Sequence, residues 1–122
     1  MNLPSALIIE DEPDLATIFS RALIAGGFST DIAPNGKTTL TYLEQNVPDV
    51  IVLDLHLPDI DGLELLYKIR ADERLAKTKV IIASADAQMV QLAEDKADLI
   101  LIKPVSVSQL KDLALRLNSK NQ

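Results

Sequence analysis

VIVLDLHLPDIDGLELL, residues 50 to 66, compresses a strand, a loop and the start of a helix into one stretch, and its reading decides the fold. Val50 to Leu53 is apolar without interruption and rich in β-branched residues. A strand with one wet face would alternate, so a continuous run predicts a strand buried on both faces. The run ends at Asp54. Pro58-Asp59 has turn chemistry, Asp61 precedes Gly62 as an N-cap, and Leu63, Leu66 and Ile69 then share one face of a helix.

The same unit recurs on either side. Ala6 to Ile9, Val80 to Ala83 and Leu99 to Ile102 are similar apolar runs expected to be buried on both faces, and Phe28 to Ala33 alternates enough to suit an edge. Helical periodicity fills the gaps. Leu15, Ile18, Phe19, Ala22 and Leu23 fall on one face, as do Val107, Leu110, Leu113, Ala114 and Leu117; weaker patterns cover 38–45 and 87–96. Pro13 suits a first helical position, Gly26-Gly27 a stop and Pro34-Asn35-Gly36 a turn. Five strands alternating with five helices predict a flavodoxin-like (βα)5 sandwich: a parallel sheet in order 2-1-3-4-5 with helices on both faces.

Composition narrows the class. A chain of 122 residues, 48% hydrophobic, is expected to form one domain over 1–122, with a core over about 5–118 and a short polar tail at 119–122. The net charge of −6 argues against direct DNA binding and against an anionic membrane surface. Without cysteine there is neither a disulfide framework nor thiolate chemistry. No apolar run approaches the roughly 20 residues needed to cross a bilayer, and the first residues lack a basic leader, so the expectation is a cytoplasmic protein.

In such a sheet ligands bind outside the carboxyl ends of the strands, so those ends are where function should be read. Strand 1 ends in Glu10-Asp11, strand 3 in Asp54, strand 4 in Ser84 and strand 5 in Lys103-Pro104. Carboxylates converging from neighbouring strands repel one another unless a cation sits among them, and hard oxygen donors with room for water suit Mg²⁺. A carboxylate beside a metal, an ammonium and a hydroxyl can accept a phosphoryl group.

IIEDE, VLDLHLPDIDG, VIIASA and LIKP, in that order and spacing, resemble the response-regulator receiver domain of two-component signalling, of the chemotaxis-regulator-like kind. Each motif alone is weak; four in register are specific. The resemblance implies that Asp54 is the phosphoacceptor, that Glu10, Asp11, Asp54 and the backbone carbonyl of His56 hold Mg²⁺, and that Ser84 and Lys103 contact the phosphoryl group. It also implies a cis bond between Lys103 and Pro104, a sensor histidine kinase or phosphotransfer protein as phosphodonor, and output through an interaction that depends on phosphorylation. The downstream partner is not legible, and a homodimer stays open. Such a domain catalyses only its own phosphorylation and slow dephosphorylation and is not counted an enzyme.

Each residue also has a plainer reading. Glu10 to Glu12 could be a solvated loop complementing a helix dipole, Ser84 a cap, Lys103 a strand-end lysine and Asp59 a turn residue; His56, the only histidine, has no partner evident in sequence. The chain departs from the resemblance where the family usually has an aromatic on strand 5, here Ile100, and a threonine on strand 4, here Ser84. Val105 stands where phenylalanine is frequent, and Asp95-Lys96-Ala97 replaces the usual glycine before strand 5. The enzyme-class alternative is a haloacid-dehalogenase-like phosphatase with Asp54 as nucleophile, but that family carries a second Asp at the position of His56. A flavodoxin-type FMN carrier would need a phosphate loop where Glu10-Asp11-Glu12 stands.

Overall fold

The computed structural model describes residues 2–120, and of Ser119 and Lys120 only the backbone. Five strands, β1 (Ser5–Ile9), β2 (Ser29–Ala33), β3 (Val50–Asp54), β4 (Lys79–Ser84) and β5 (Leu99–Ile102), alternate with five helices. These are α1 (Pro13–Ala25), α2 (Gly36–Gln45), α3 (Gly62–Ala71), α4 (Ala87–Ala93) and α5 (Val107–Lys120). All strand pairs are parallel and the order is β2-β1-β3-β4-β5, as the continuous apolar runs predict.

The burial of both strand faces has a direct cause. Leu7 and Ile9, Ile51 and Leu53, and Val80 and Ile82 point to one side, where they pack with Leu65, Leu66 and Ile69 of α3. Ala6 and Ile8, Val50 and Val52, and Ile81 and Ala83 point to the other, against Phe19 and Leu23 of α1 and Leu110 and Ala114 of α5. Burying a Leu, Ile or Phe side chain is worth about 1.5–3 kcal/mol, so these two layers dominate the stability.

Several local expectations shift. Strand β5 is not buried on both faces: Leu99 is 39% and Ile102 58% exposed, because β5 is the far edge of the sheet and has one strand neighbour. Ile18 and Val107 lie outside the buried stripes of their helices; on α1 the stripe is Leu15, Ala16, Phe19, Ala22 and Leu23. Helix α2 starts at Gly36 because Asn35 caps it, its side chain accepting from Thr38 N–H at 2.8 Å. The 87–96 stretch is an α-helix only to Ala93 and tightens to a 3-10 turn over Glu94–Lys96. Helix α5 runs to Lys120, and of the expected 119–122 tail Asn121 and Gln122 lie outside the described residues.

Punctuation follows the sequence elsewhere. Pro13 opens α1, and Gly26-Gly27 ends it with Gly27 at φ +97°, a conformation that L side chains rarely adopt. Asp61 caps α3, accepting from Leu63 N–H at 2.9 Å. The Lys103–Pro104 bond is cis.

Candidate functional site

Parallel pairing delivers the polar strand ends to one edge. Ile9 pairs with both Ala33 and Leu53, Asp54 with Ala83 and Ser84 with Ile102. Two further ladder bonds carry the register past the strand ends: Glu10 N–H donates to the Ala33 carbonyl at 3.1 Å, and Lys103 N–H to the Ser84 carbonyl at 3.0 Å. Glu10, Asp54 and Ser84 are buried, at 2%, 5% and 0% exposure, while Asp11 is exposed. Buried carboxylates need partners, and here they share one.

Lys103 is that partner. Its Nζ donates to Glu10 Oε1 at 3.0 Å and lies 3.4 Å from Asp54 Oδ2. The remaining oxygens are also held: Glu10 Oε2 accepts from Glu12 N–H at 3.3 Å and Asp54 Oδ1 from His56 N–H at 3.0 Å. The Glu10 carboxyl is raised to about 7, first by burial; the bond to Lys103 works against the rise and the neighbouring Asp54 adds to it. Burial alone would lower the Lys103 ammonium, but its bond to Glu10 and the charges of Asp54 and Glu10 outweigh this and hold it above the usual lysine range.

Glu10, Asp11 and Asp54 each offer a carboxylate oxygen within 4.8 Å of the others. Mg²⁺ takes oxygen ligands of this kind, one or two of them carboxylates, and keeps several waters besides. The chemistry of the set fits such an ion: hard oxygens, excess negative charge, and one exposed member on the solvent side.

The plainer readings account for part of this edge. Ser84 is not the cap of α4, but its Oγ accepts from the N–H of the residue that is, Asp86, at 3.1 Å. Asp86 accepts from Gln88 and Met89 N–H at 3.0 and 3.2 Å, and its Oδ2 lies 3.4 Å from His56 Nε2. His56 therefore has a partner across the mouth of the site, which sequence reasoning missed. The signal available was the acidic residue two positions past Ser84, matching the position of His56 two past Asp54. Asp59 is more than a turn residue: its Oδ1 and Oδ2 accept from Gly36 and Lys37 N–H at 2.7 and 3.0 Å, and those bonds hold its carboxyl below the usual range.

Fold and edge together define a flavodoxin-like α/β protein with an acidic site, closed by a lysine, at the carboxyl ends of its strands. The chain belongs to the response regulator receiver domain family, whose model matches residues 6–115. It is 35% identical over 103 residues to the transcriptional regulatory protein AfsQ1 of Streptomyces coelicolor, a match covering 84% of this chain and 46% of that protein. The chain thus spans about half the length of such curated relatives. Among solved structures it resembles the receiver domain of Francisella response regulator 1452, with TM-score 0.82, 30% identity and coverage of 98% and 99% of the two chains. It also resembles TrrA of Thermotoga maritima, solved in complex with Mg²⁺-BeF, with TM-score 0.81, 27% identity and coverage of 93% and 98%. Among the described residues no helix is long and apolar enough to cross a membrane.

Proposed function

We propose that residues 1–122 form a single phosphoacceptor switch in which Asp54 takes a phosphoryl group from a histidine kinase phosphohistidine, a phosphotransfer protein or a small acyl phosphate. The observation that carries this reading is the placement of Lys103 Nζ, 3.0 Å from Glu10 and 3.4 Å from Asp54, inside an acidic cluster of three. An Asp54 carboxylate oxygen attacks phosphorus, the bond from phosphorus to the donor nitrogen breaks, and the imidazole leaves with its electron pair and takes up a proton. Lys103 neutralises phosphoryl oxygens as their charge redistributes, and the Ser84 hydroxyl, whose oxygen already accepts from Asp86, donates to one of them. Glu10, Asp11, Asp54 and the His56 carbonyl would hold Mg²⁺. When bound, the ion supplies further charge neutralisation between carboxylate and phosphoryl oxygens.

Turnover stays confined to the chain's own phosphorylation and slow dephosphorylation. The phosphatase alternative is not favoured, since the position for its second aspartate is His56, engaged with Asp86. Output goes through a protein partner or a homodimer in the cytoplasm, with no DNA contact from these residues, whose balance is acidic. Incubation with acetyl phosphate and Mg²⁺, followed by intact mass, tests the reading. One added phosphoryl group, lost in excess chelator, is expected; labelling undiminished by the chelator contradicts it.

A further inference from the structure

Helix α2 begins with three backbone N–H groups that have no partner inside the helix. Its own cap, Asn35, takes up only the third, Thr38. The first two, Gly36 and Lys37, are taken up by Asp59, more than twenty residues away in the loop between β3 and α3, through both carboxylate oxygens at 2.7 and 3.0 Å. The approach is close because Gly36 has no side chain: a Cβ there would collide with Ile60 and crowd Asp59. Loop and helix start are therefore fitted to each other at two successive residues, by charge-assisted hydrogen bonds and by packing.

This loop also carries the site. Asp54 stands at its start, His56 N–H donates to Asp54 Oδ1 at 3.0 Å, and the loop closes on itself where Gly62 N–H donates to the Leu55 carbonyl at 3.2 Å. His56 and Asp61 form an antiparallel bridge across it. Between Asp54 and α3 the chain is thus tied to itself, and the Asp59 clasp, with Ile60 packed at Gly36, ties it to α2.

We propose that Asp59 is a positioning residue of the metal and phosphoryl site: by clasping the first turn of α2 it fixes the loop that presents His56, and it couples occupancy of the site to that turn. The inference rests on the reading of Glu10, Asp11, Asp54 and the His56 carbonyl as the metal set. Coupling of this kind is reciprocal. If the clasp favours the loop geometry that binds metal, metal binding must strengthen the clasp by the same factor. The first turn of α2 then responds to a site to which it contributes no ligand.

The test uses the full chain, Mg²⁺ as probe, and three variants, with metal affinity from calorimetry and amide exchange from NMR. Asp59→Ala is expected to weaken Mg²⁺ binding roughly five- to tenfold, at the lower end of measured couplings. Asp59→Asn, which keeps a side-chain acceptor, should recover part of the loss. Asn35→Ala removes the other cap of the same helix turn without touching the loop, and should leave Mg²⁺ affinity unchanged. In wild type, Mg²⁺ should slow exchange of the Gly36 and Lys37 amides. In Asp59→Ala that slowing should vanish while the His56 amide still responds. A purely structural cap would lower the metal-free melting temperature and leave Mg²⁺ affinity untouched; that result overturns the proposal, as does an equal loss in Asn35→Ala. If the wild-type His56 amide ignores Mg²⁺ altogether, the metal set itself is wrong and the positioning role falls with it; a response at His56 without one at Gly36 and Lys37 refutes the coupling alone.

Discussion

Metal-free protein should become less stable as pH rises from about 4.5 to 7, opposite to the behaviour of a protein held together by ionised carboxylates. The perturbation is the titration of Glu10, whose side chain is 1% exposed. Burial lifts its carboxyl from the ordinary 4.5 to about 7. Between those values the folded chain holds a proton that the unfolded chain has released, so raising pH favours unfolding. At about 1.4 kcal/mol for each unit, the full window is worth up to roughly 3 kcal/mol. In a domain of this size that corresponds to a fall in melting temperature of about 10 °C. Asp59 and Asp72, both held below the ordinary 3.8, contribute with the opposite sign, but their stabilisation is lost only as pH falls through that range, outside this window. The assay is a series of thermal melts in chelator from pH 4.5 to 7.5, for wild type and Glu10→Gln. Wild type should decline and the variant should stay nearly flat, melting higher than wild type at pH 7. Mg²⁺ should stabilise wild type more at pH 7.5 than at pH 5, where it competes with the Glu10 proton. A wild-type melting temperature that rises across the window, or an identical slope in Glu10→Gln, would refute the reasoning.

Asp11→Asn removes one of three mutually repelling carboxylates, so without metal it should melt above wild type; it should also lose most of a Mg²⁺-dependent gain that reaches about 2.7 kcal/mol at a hundredfold excess over Kd. A Mg²⁺ response equal to wild type would mark Asp11 as a solvated loop residue. Gly62→Ala drives a Cβ into the backbone of Leu55 at the base of the loop, and urea unfolding should show a loss of about 1–3 kcal/mol; an unchanged midpoint would mean the loop gives way freely. With a beryllofluoride-type mimic and Mg²⁺, amide shifts should centre on residues 54–61 and 84–88 and be weaker around Ile100 and α5, because a Cβ-branched side chain is stiff at χ1. Ile100→Tyr should enlarge them there, and undiminished wild-type shifts along β5 would show Ile100 to be an adequate reporter.

Much of the architecture was legible because its signal is local. Val50 to Leu53 could not be a strand with a wet face, and three more runs of the same kind left few arrangements besides a parallel sheet between helix layers. Once strand order is assigned, Glu10, Asp54, Ser84 and Lys103 must meet at one edge, since each follows or ends a strand of the same direction. What escaped sequence reasoning depends on contacts between distant segments. The apolar run at Leu99 to Ile102 reads like the others, yet its exposure follows from its place at the edge of the sheet, not from its residues. Asp59 follows a proline and reads as a turn, and only folding brings Gly36 and Lys37 to it. His56 looked unpartnered because Asp86 lies thirty positions on, in the loop after another strand. Asp61, whose partner is two residues away, was assigned as a cap directly.

The central claim, that Asp54 is the acceptor in a site closed by Lys103 and the acidic cluster, is tested most directly by locating the covalent bond. Acetyl phosphate and Mg²⁺, followed by borohydride reduction, would convert an aspartyl phosphate to homoserine, and peptide sequencing by mass spectrometry would give its position. The account requires homoserine at residue 54, none in Asp54→Asn, and none when chelator replaces Mg²⁺. Homoserine at Asp11, Asp59 or Asp86 with residue 54 unmodified, or labelling that survives in Asp54→Asn, would contradict it.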